Sequence, residues 1–260
     1  MMLIRASAPV MTAVFLLAAA LPARAQVTDR LAIRGKPQTL HLYGQRDGDP
    51  VIVSSGDGGW IHLGPQVAEM LAARGYFVVG FDTKDYLESF TSGATALKAG
   101  DVSGDYRELA AYATRATSTK PLLIGVSEGA ALSALAATDP ETKAALLGVV
   151  GLGLGDINEL GWRWKDSVIY LTHGVPNEPT FSVAGIAGRI APTPLAVINS
   201  TRDEFVPAGE VEKIMAAAET PKRLWMIAAV DHRFSDNQAE LSRRLFEAVE
   251  WVRQNQVPSK

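Results

Sequence analysis

Leu122-Leu123-Ile124-Gly125-Val126-Ser127-Glu128-Gly129-Ala130-Ala131 joins an apolar β-type run directly to an alanine-rich helical run. The junction is Gly-Val-Ser-Glu-Gly, with small residues two before and two after the serine. A chain that reverses from strand to helix within one residue leaves no room for side chains at those flanking positions. It also lifts the serine Oγ above the sheet edge, where the start of the helix favours developing negative charge. The spacing therefore predicts a nucleophile elbow at Ser127. The plainer reading of the same residues is a tight turn.

Working outward, short β-branched runs alternate with helical stretches, the pattern of a mostly parallel sheet covered on both faces. Val51–Val53, Phe77–Phe81, Pro121–Ile124, Leu146–Val150, Leu195–Ile198 and Leu224–Val230 read as strands. Pro65–Arg74, Asp105–Arg115, Glu128–Ala137, Ala208–Ala218 and Asn237–Arg253 read as helices. With the elbow in mid-chain, this order predicts an α/β-hydrolase fold in a single domain over residues 26–260. Residues 151–190 fit the alternation least, with Trp162, Trp164 and several glycines and prolines. An insertion there would lie over the carboxyl ends of the strands, which predicts a small cap. Trp60, Trp162 and Trp164 are then candidates to touch substrate.

A serine nucleophile needs a base, and the base needs an acid that orients it. In this fold the chain order is serine, acid, histidine. Of the two histidines after Ser127, His232 follows the last strand and precedes the closing helix, while His173 falls in the cap segment. His232 is the expected base. His41 and His62 precede the serine and read as surface or loop residues. Asp203 lies in the loop after Leu195–Ile198 and is the expected acid, with Glu204 its neighbouring rival. The oxyanion donors are expected to be the backbone N–H of Glu128 and one amide of the loop Ser54-Ser55-Gly56-Asp57-Gly58-Gly59-Trp60. Asp57 is the preferred donor there and Gly56 the alternative. That loop lacks the Gly-Lys-Ser/Thr ending of a phosphate-binding loop.

The first 25 residues have Arg5, an apolar run over 8–20, the helix breaker Pro22, and Ala23-Arg24-Ala25 before Gln26. This is the pattern of a cleaved signal peptide, and it predicts export, to the periplasm in a Gram-negative cell. Removing it takes two arginines and no acid, so the net charge moves from −3 to −5. An acidic chain without a basic run is a poor nucleic-acid binder. Zero cysteines exclude a thiol nucleophile and a cysteine-bound zinc. The chemistry read here calls for no metal and no organic cofactor.

The loop Ser55-Gly56-Asp57-Gly58-Gly59-Trp60, then Ala73-Arg74-Gly75-Tyr76 and Gly80-Phe81-Asp82, resembles the VirJ/AcvB group of exported bacterial α/β-hydrolases. The likeness runs over most of residues 26–260 and is sharpest in 51–90 and 121–133. It implies an association with secretion and virulence, and triad roles for Ser127, Asp203 and His232. It also implies a lipid ester substrate, since some members hydrolyse lysyl-phosphatidylglycerol. Within this reading the partner is a small-molecule or lipid ester, with contact to a secretion system or a membrane surface. The rival is a non-catalytic binding or accessory protein on the same scaffold, because fold alone does not specify function.

Overall fold

The computed structural model describes residues 27–93, 95–163 and 178–256. The elements run β1 (Val27–Ile33), β2 (Lys36–Tyr43), β3 (Pro50–Ser54), α1 (Leu63–Ala72), β4 (Phe77–Phe81), α2 (Thr83–Phe90) and α3 (Ala99–Ala113). Then come β5 (Leu122–Val126), α4 (Glu128–Ala136), α5 (Pro140–Ala144), β6 (Gly148–Leu152), β7 (Ile157–Glu159), β8 (Thr180–Ser182) and α6 (Val183–Ile186). The chain closes with β9 (Leu195–Ser200), α7 (Ala208–Ala217), β10 (Lys222–Ile227) and α8 (Gln238–Asn255).

Eight strands form one sheet in the order β1-β2-β4-β3-β5-β6-β9-β10. The pairs from β4 through β10 are parallel, and the β1–β2 hairpin adds antiparallel to β4. This is the α/β-hydrolase fold. Strands β3, β5 and β6 are buried along their whole length, as a sheet covered on both faces requires. Alternation along each strand sends side chains to two separate cores. Leu123 joins the core under α2, α3, α4 and α7, while Leu122 and Ile124 join the core under α1 and α8.

The first two strands and α2 were not legible from periodicity. In β1 half-buried Asp29 and Leu31 and buried Ile33 alternate with exposed Thr28, Arg30 and Ala32, the signature of an edge strand wet on one side. The segment Thr83–Glu88 is a polar helix, started by Asp82, whose side chain accepts the Asp85 N–H.

The sheet brings the carboxyl ends of β3, β5, β6, β9 and β10 to one edge. The loops 55–62, 153–156, 201–207 and 228–237 leave from that edge. Crevices at strand carboxyl ends are where ligands bind in open α/β sheets.

Candidate active site

Ser127 is the residue between β5 and α4, with φ 50° and ψ −119°. That backbone is strained for a residue with a Cβ, and close packing enforces it. A Cβ on Gly125 would fall 2.3 Å from Ala130 Cα, and one on Gly129 would fall 2.3 Å from the Ser55 carbonyl oxygen. The Ser127 N–H is taken up by the Leu152 carbonyl at 2.8 Å, which ties the turn to the end of β6. The small residues flanking the serine are thus a steric requirement of this turn.

Asp203 and His232 come from the loops after β9 and β10. The His232 Nδ1–H donates to Asp203 Oδ2 at 2.7 Å, and both residues are buried. A carboxylate only accepts, so this contact selects the tautomer with the proton on Nδ1 and leaves Nε2 as an acceptor. The other carboxylate oxygen, Oδ1, accepts from Phe205 N–H at 3.0 Å and Val206 N–H at 2.8 Å, which fixes the plane of the group. His232 Nε2 is out of water and has no hydrogen-bond partner among the described residues. The phenyl ring of Phe205 meets the imidazole edge to face at 5.5 Å. Space for the ring is made at Gly153, φ +62°, where a Cβ would stand 2.3 Å from His232 Cε1.

The competing acids are otherwise engaged. Glu204 accepts the backbone N–H of His232 at 2.9 Å. Asp231 is spent on its own turn, taking the N–H groups of Arg233 and Ser235. His173 lies outside the described residues.

Ser127 and His232 line one cavity of about 430 Å³, which the loop after β3 also borders through Gly56, Asp57, Gly58 and Gly59. Gly56 approaches the serine so closely that a Cβ on it would be 3.4 Å from Ser127 Cβ. This loop is pinned at both ends. Ser55 donates its N–H to the Phe81 carbonyl, and Asp82 accepts the Trp60 N–H at 2.9 Å. Gly56, Asp57 and Glu128, the residues expected to donate backbone N–H groups to an oxyanion, line the space beside the serine.

The cavity is also acidic. Glu128 accepts the Glu159 N–H at 2.9 Å, and both line the space with Asp57. Withdrawal from water, and then the charges of Asp57 and Glu159, hold the Glu128 carboxyl well above the usual range. Burial likewise raises Asp57, partly offset by the nearby His232. Among the described residues no group of three His, Cys, Asp or Glu is placed to hold a metal ion.

Two expected substrate contacts are corrected. Trp60 does not line the cavity. Its indole stacks on His41 at 4.9 Å, donates Nε1–H to the Tyr43 hydroxyl and lies where Gly80 leaves room for it. His41 is therefore a half-buried packing residue of β2 rather than a loop residue. Trp162 is 7% exposed and packs in the core, with the Lys84 ammonium 4.5 Å from its ring centre. Trp164 lies outside the described residues. Asp85 and Glu88, on α2, are likewise absent from the cavity wall.

Among the wall residues that the sequence did not mark as such are Glu159 on β7, Phe205 beside the acid, Arg233 beside the histidine, and His62, read as a surface or loop residue, just before α1. Within the described part of 151–190, which also holds the end of β6 and the helix α6, β7 and β8 pair as a ribbon, and Ile157, Asn158 and Glu159 line the cavity.

A family model described as bacterial virulence protein (VirJ) matches residues 49–169. Over that stretch the chain is VirJ-like. The VirJ-like segment includes Asp57, Ser127 and Glu128, while Asp203 and His232 lie beyond it, so their pairing is read from geometry. No curated protein matches the chain. Among solved structures, the chain is similar to the α/β hydrolase GrgF from Penicillium sp. sh18, with 13% identity, TM-score 0.64, and coverage of 89% of this chain and 99% of that one. It is similar to a membrane phospholipase A described as a bacterial virulence factor, at 12% identity and TM-score 0.61, over 88% of this chain and 87% of that one. It is also similar to the esterase domain of a Rhodothermus marinus protein, at 19% identity and TM-score 0.58, over 88% and 97%. At these identities the shared property is the fold. No helix among the described residues is long and apolar enough to cross a membrane.

Proposed function

We propose that this protein is an exported serine hydrolase of carboxylic esters, working in the periplasm after removal of residues 1–25. The observation that supports it most is the His232–Asp203 pair at 2.7 Å, set on the cavity that Ser127 enters from its strained turn. In this reading Ser127 Oγ attacks the ester carbonyl as its proton passes to His232 Nε2. The N–H groups of Glu128 and Asp57, or Gly56 in place of Asp57, hold the oxyanion. His232 then gives the proton to the leaving alcohol, and water releases the acyl group by the reverse sequence.

The substrate we propose is an aminoacyl phospholipid, with lysyl-phosphatidylglycerol as the example. Its acyl group carries an ammonium, and Asp57 and Glu159 line the cavity beside the serine. A charge pair shielded from bulk water is stronger than a solvated one. Ile61, Ile157 and Phe205, exposed by 52%, 65% and 56%, rim the cavity and suit acyl chains or a bilayer surface. The test compares lysyl-phosphatidylglycerol with a neutral ester of matched chain length. Preference for the former that narrows with added salt is expected. Equal rates, or cleavage of the neutral ester alone, would leave a general esterase.

A further inference from the structure

His62 repeats the backbone geometry of the nucleophile. Its φ of 55° and ψ of −114° nearly match the 50° and −119° of Ser127, and each residue immediately precedes a helix. The strain at Ser127 is accounted for by the turn that presents its hydroxyl. At His62 the fold has no comparable need of the side chain. The His62 carbonyl accepts the Gln66 N–H, which any residue could provide, and its imidazole caps nothing. A glycine would adopt this φ without a Cβ penalty, as Gly59 does three residues earlier at φ +93°. An imidazole held in an unfavourable conformation on the wall of a cavity is a candidate for contact with what enters it.

Arg233 lines the same cavity, next in sequence to the triad histidine. It is exposed, and the charge acting on it among the described residues is that of neighbouring Asp231. The backbones carrying the two side chains are tied together. Gln66, one turn into α1, donates to Gln238 at 2.6 Å, and Gln238 donates to the carbonyls of Arg233 and Phe234. The Glu128 carboxyl accepts the backbone N–H of Glu159, which ties the start of α4 to strand β7. The cavity lining thus holds an imidazole and a guanidinium beside the carboxyls of Asp57, Glu128, Glu159 and Glu210.

We infer that His62 and Arg233 bind an oxyanion of the substrate, a phosphodiester or a carboxylate on the leaving-group side of the scissile ester. The inference rests on the ester-hydrolase reading and adds a specificity contact to it. A planar guanidinium pairs well with two oxygens, and a neighbouring imidazole N–H adds a third donor.

The experiment uses three esters with one acyl group and leaving alcohols of similar size: a phosphodiester, a carboxylate and a neutral one. Wild type, His62→Gly and Arg233→Gln are compared by kcat/KM. Glycine is chosen at position 62 because it fits the existing φ. The ratio of anionic to neutral ester is expected to fall about tenfold in each variant, with the change in KM rather than kcat. A fall confined to the phosphodiester or to the carboxylate names the group bound. Ratios within twofold of wild type in both variants, for both anionic esters, overturn this contact and leave the hydrolase reading standing. Wild-type protein that cleaves none of the three overturns the hydrolase reading, and the contact with it.

Discussion

Asp203 Oδ2 holds His232 Nδ1 at 2.7 Å, while Asp203 Oδ1 is held by two backbone N–H groups. The acid therefore orients the imidazole and is itself oriented. Asp203→Asn keeps the shape but presents an N–H to Nδ1. The other tautomer results, with its proton on the nitrogen that should receive one. We expect kcat to fall by about 10²–10⁴ with little change in KM, measured on a short-chain p-nitrophenyl ester. Near wild-type turnover in this variant would show that the pair has no catalytic part.

Gly153 tests the placement of the imidazole from the opposite side. In Gly153→Ala the new methyl meets His232 Cε1 at 2.3 Å, so the ring must move. A displacement near 1 Å lowers kcat/KM by about 100-fold. The control is Gly75→Ala, where φ is +88° and a Cβ meets nothing within 4 Å. It shares the backbone strain of roughly 1 kcal/mol and should keep its activity. Equal activity losses in the two variants would argue against a displaced histidine.

Glu128 makes stability depend on pH. Its carboxyl, raised by desolvation and by Asp57 and Glu159, binds a proton more tightly folded than unfolded. Its contribution is fully present below the ordinary value of 4.5 and is lost as pH climbs through the raised folded value. Glu128→Gln has no such loss. The variant should melt above wild type at pH 8, by about 2–4 °C per kcal/mol recovered, and the gap should close near pH 4. Parallel melting curves across that range would contradict the assignment.

Away from the cavity, Asp105 is 1% exposed and bound by Arg34 through Nε and Nη2 and by the Tyr86 hydroxyl at 2.6 Å. Arg34 is itself about a third exposed, so solvent weakens the pair. Asp105→Asn should cost about 2 kcal/mol, read by urea denaturation, with turnover per folded molecule unchanged. A cost below about 0.5 kcal/mol would mean the cluster contributes little.

What could be read in the sequence was local. The elbow at Ser127, the loop Asp203 and the histidine before the closing helix are each fixed by neighbours in the chain. The parallel strands announce themselves because burial on both faces demands continuous apolar runs. The β1–β2 hairpin was missed because its half-wet strands carry charges such as Arg30 and Lys36. Trp60 and Trp162 were misread because an aromatic residue in a loop has the same composition whether it packs or binds. Glu159 gave no signal, since only the β7–β8 pairing brings it to Glu128. His62 had a faint one, as a histidine at a helix start just beyond a glycine run.

The central claim is that Ser127 is an activated nucleophile. It is tested most directly by titrating the purified protein with a fluorophosphonate and locating the adduct by peptide mass. We expect about one label per molecule in wild type, on Ser127, none in Ser127→Ala, and greatly slowed labelling in His232→Ala. Wild-type protein that is folded yet unlabelled, or labelled equally with and without Ser127, would contradict the account.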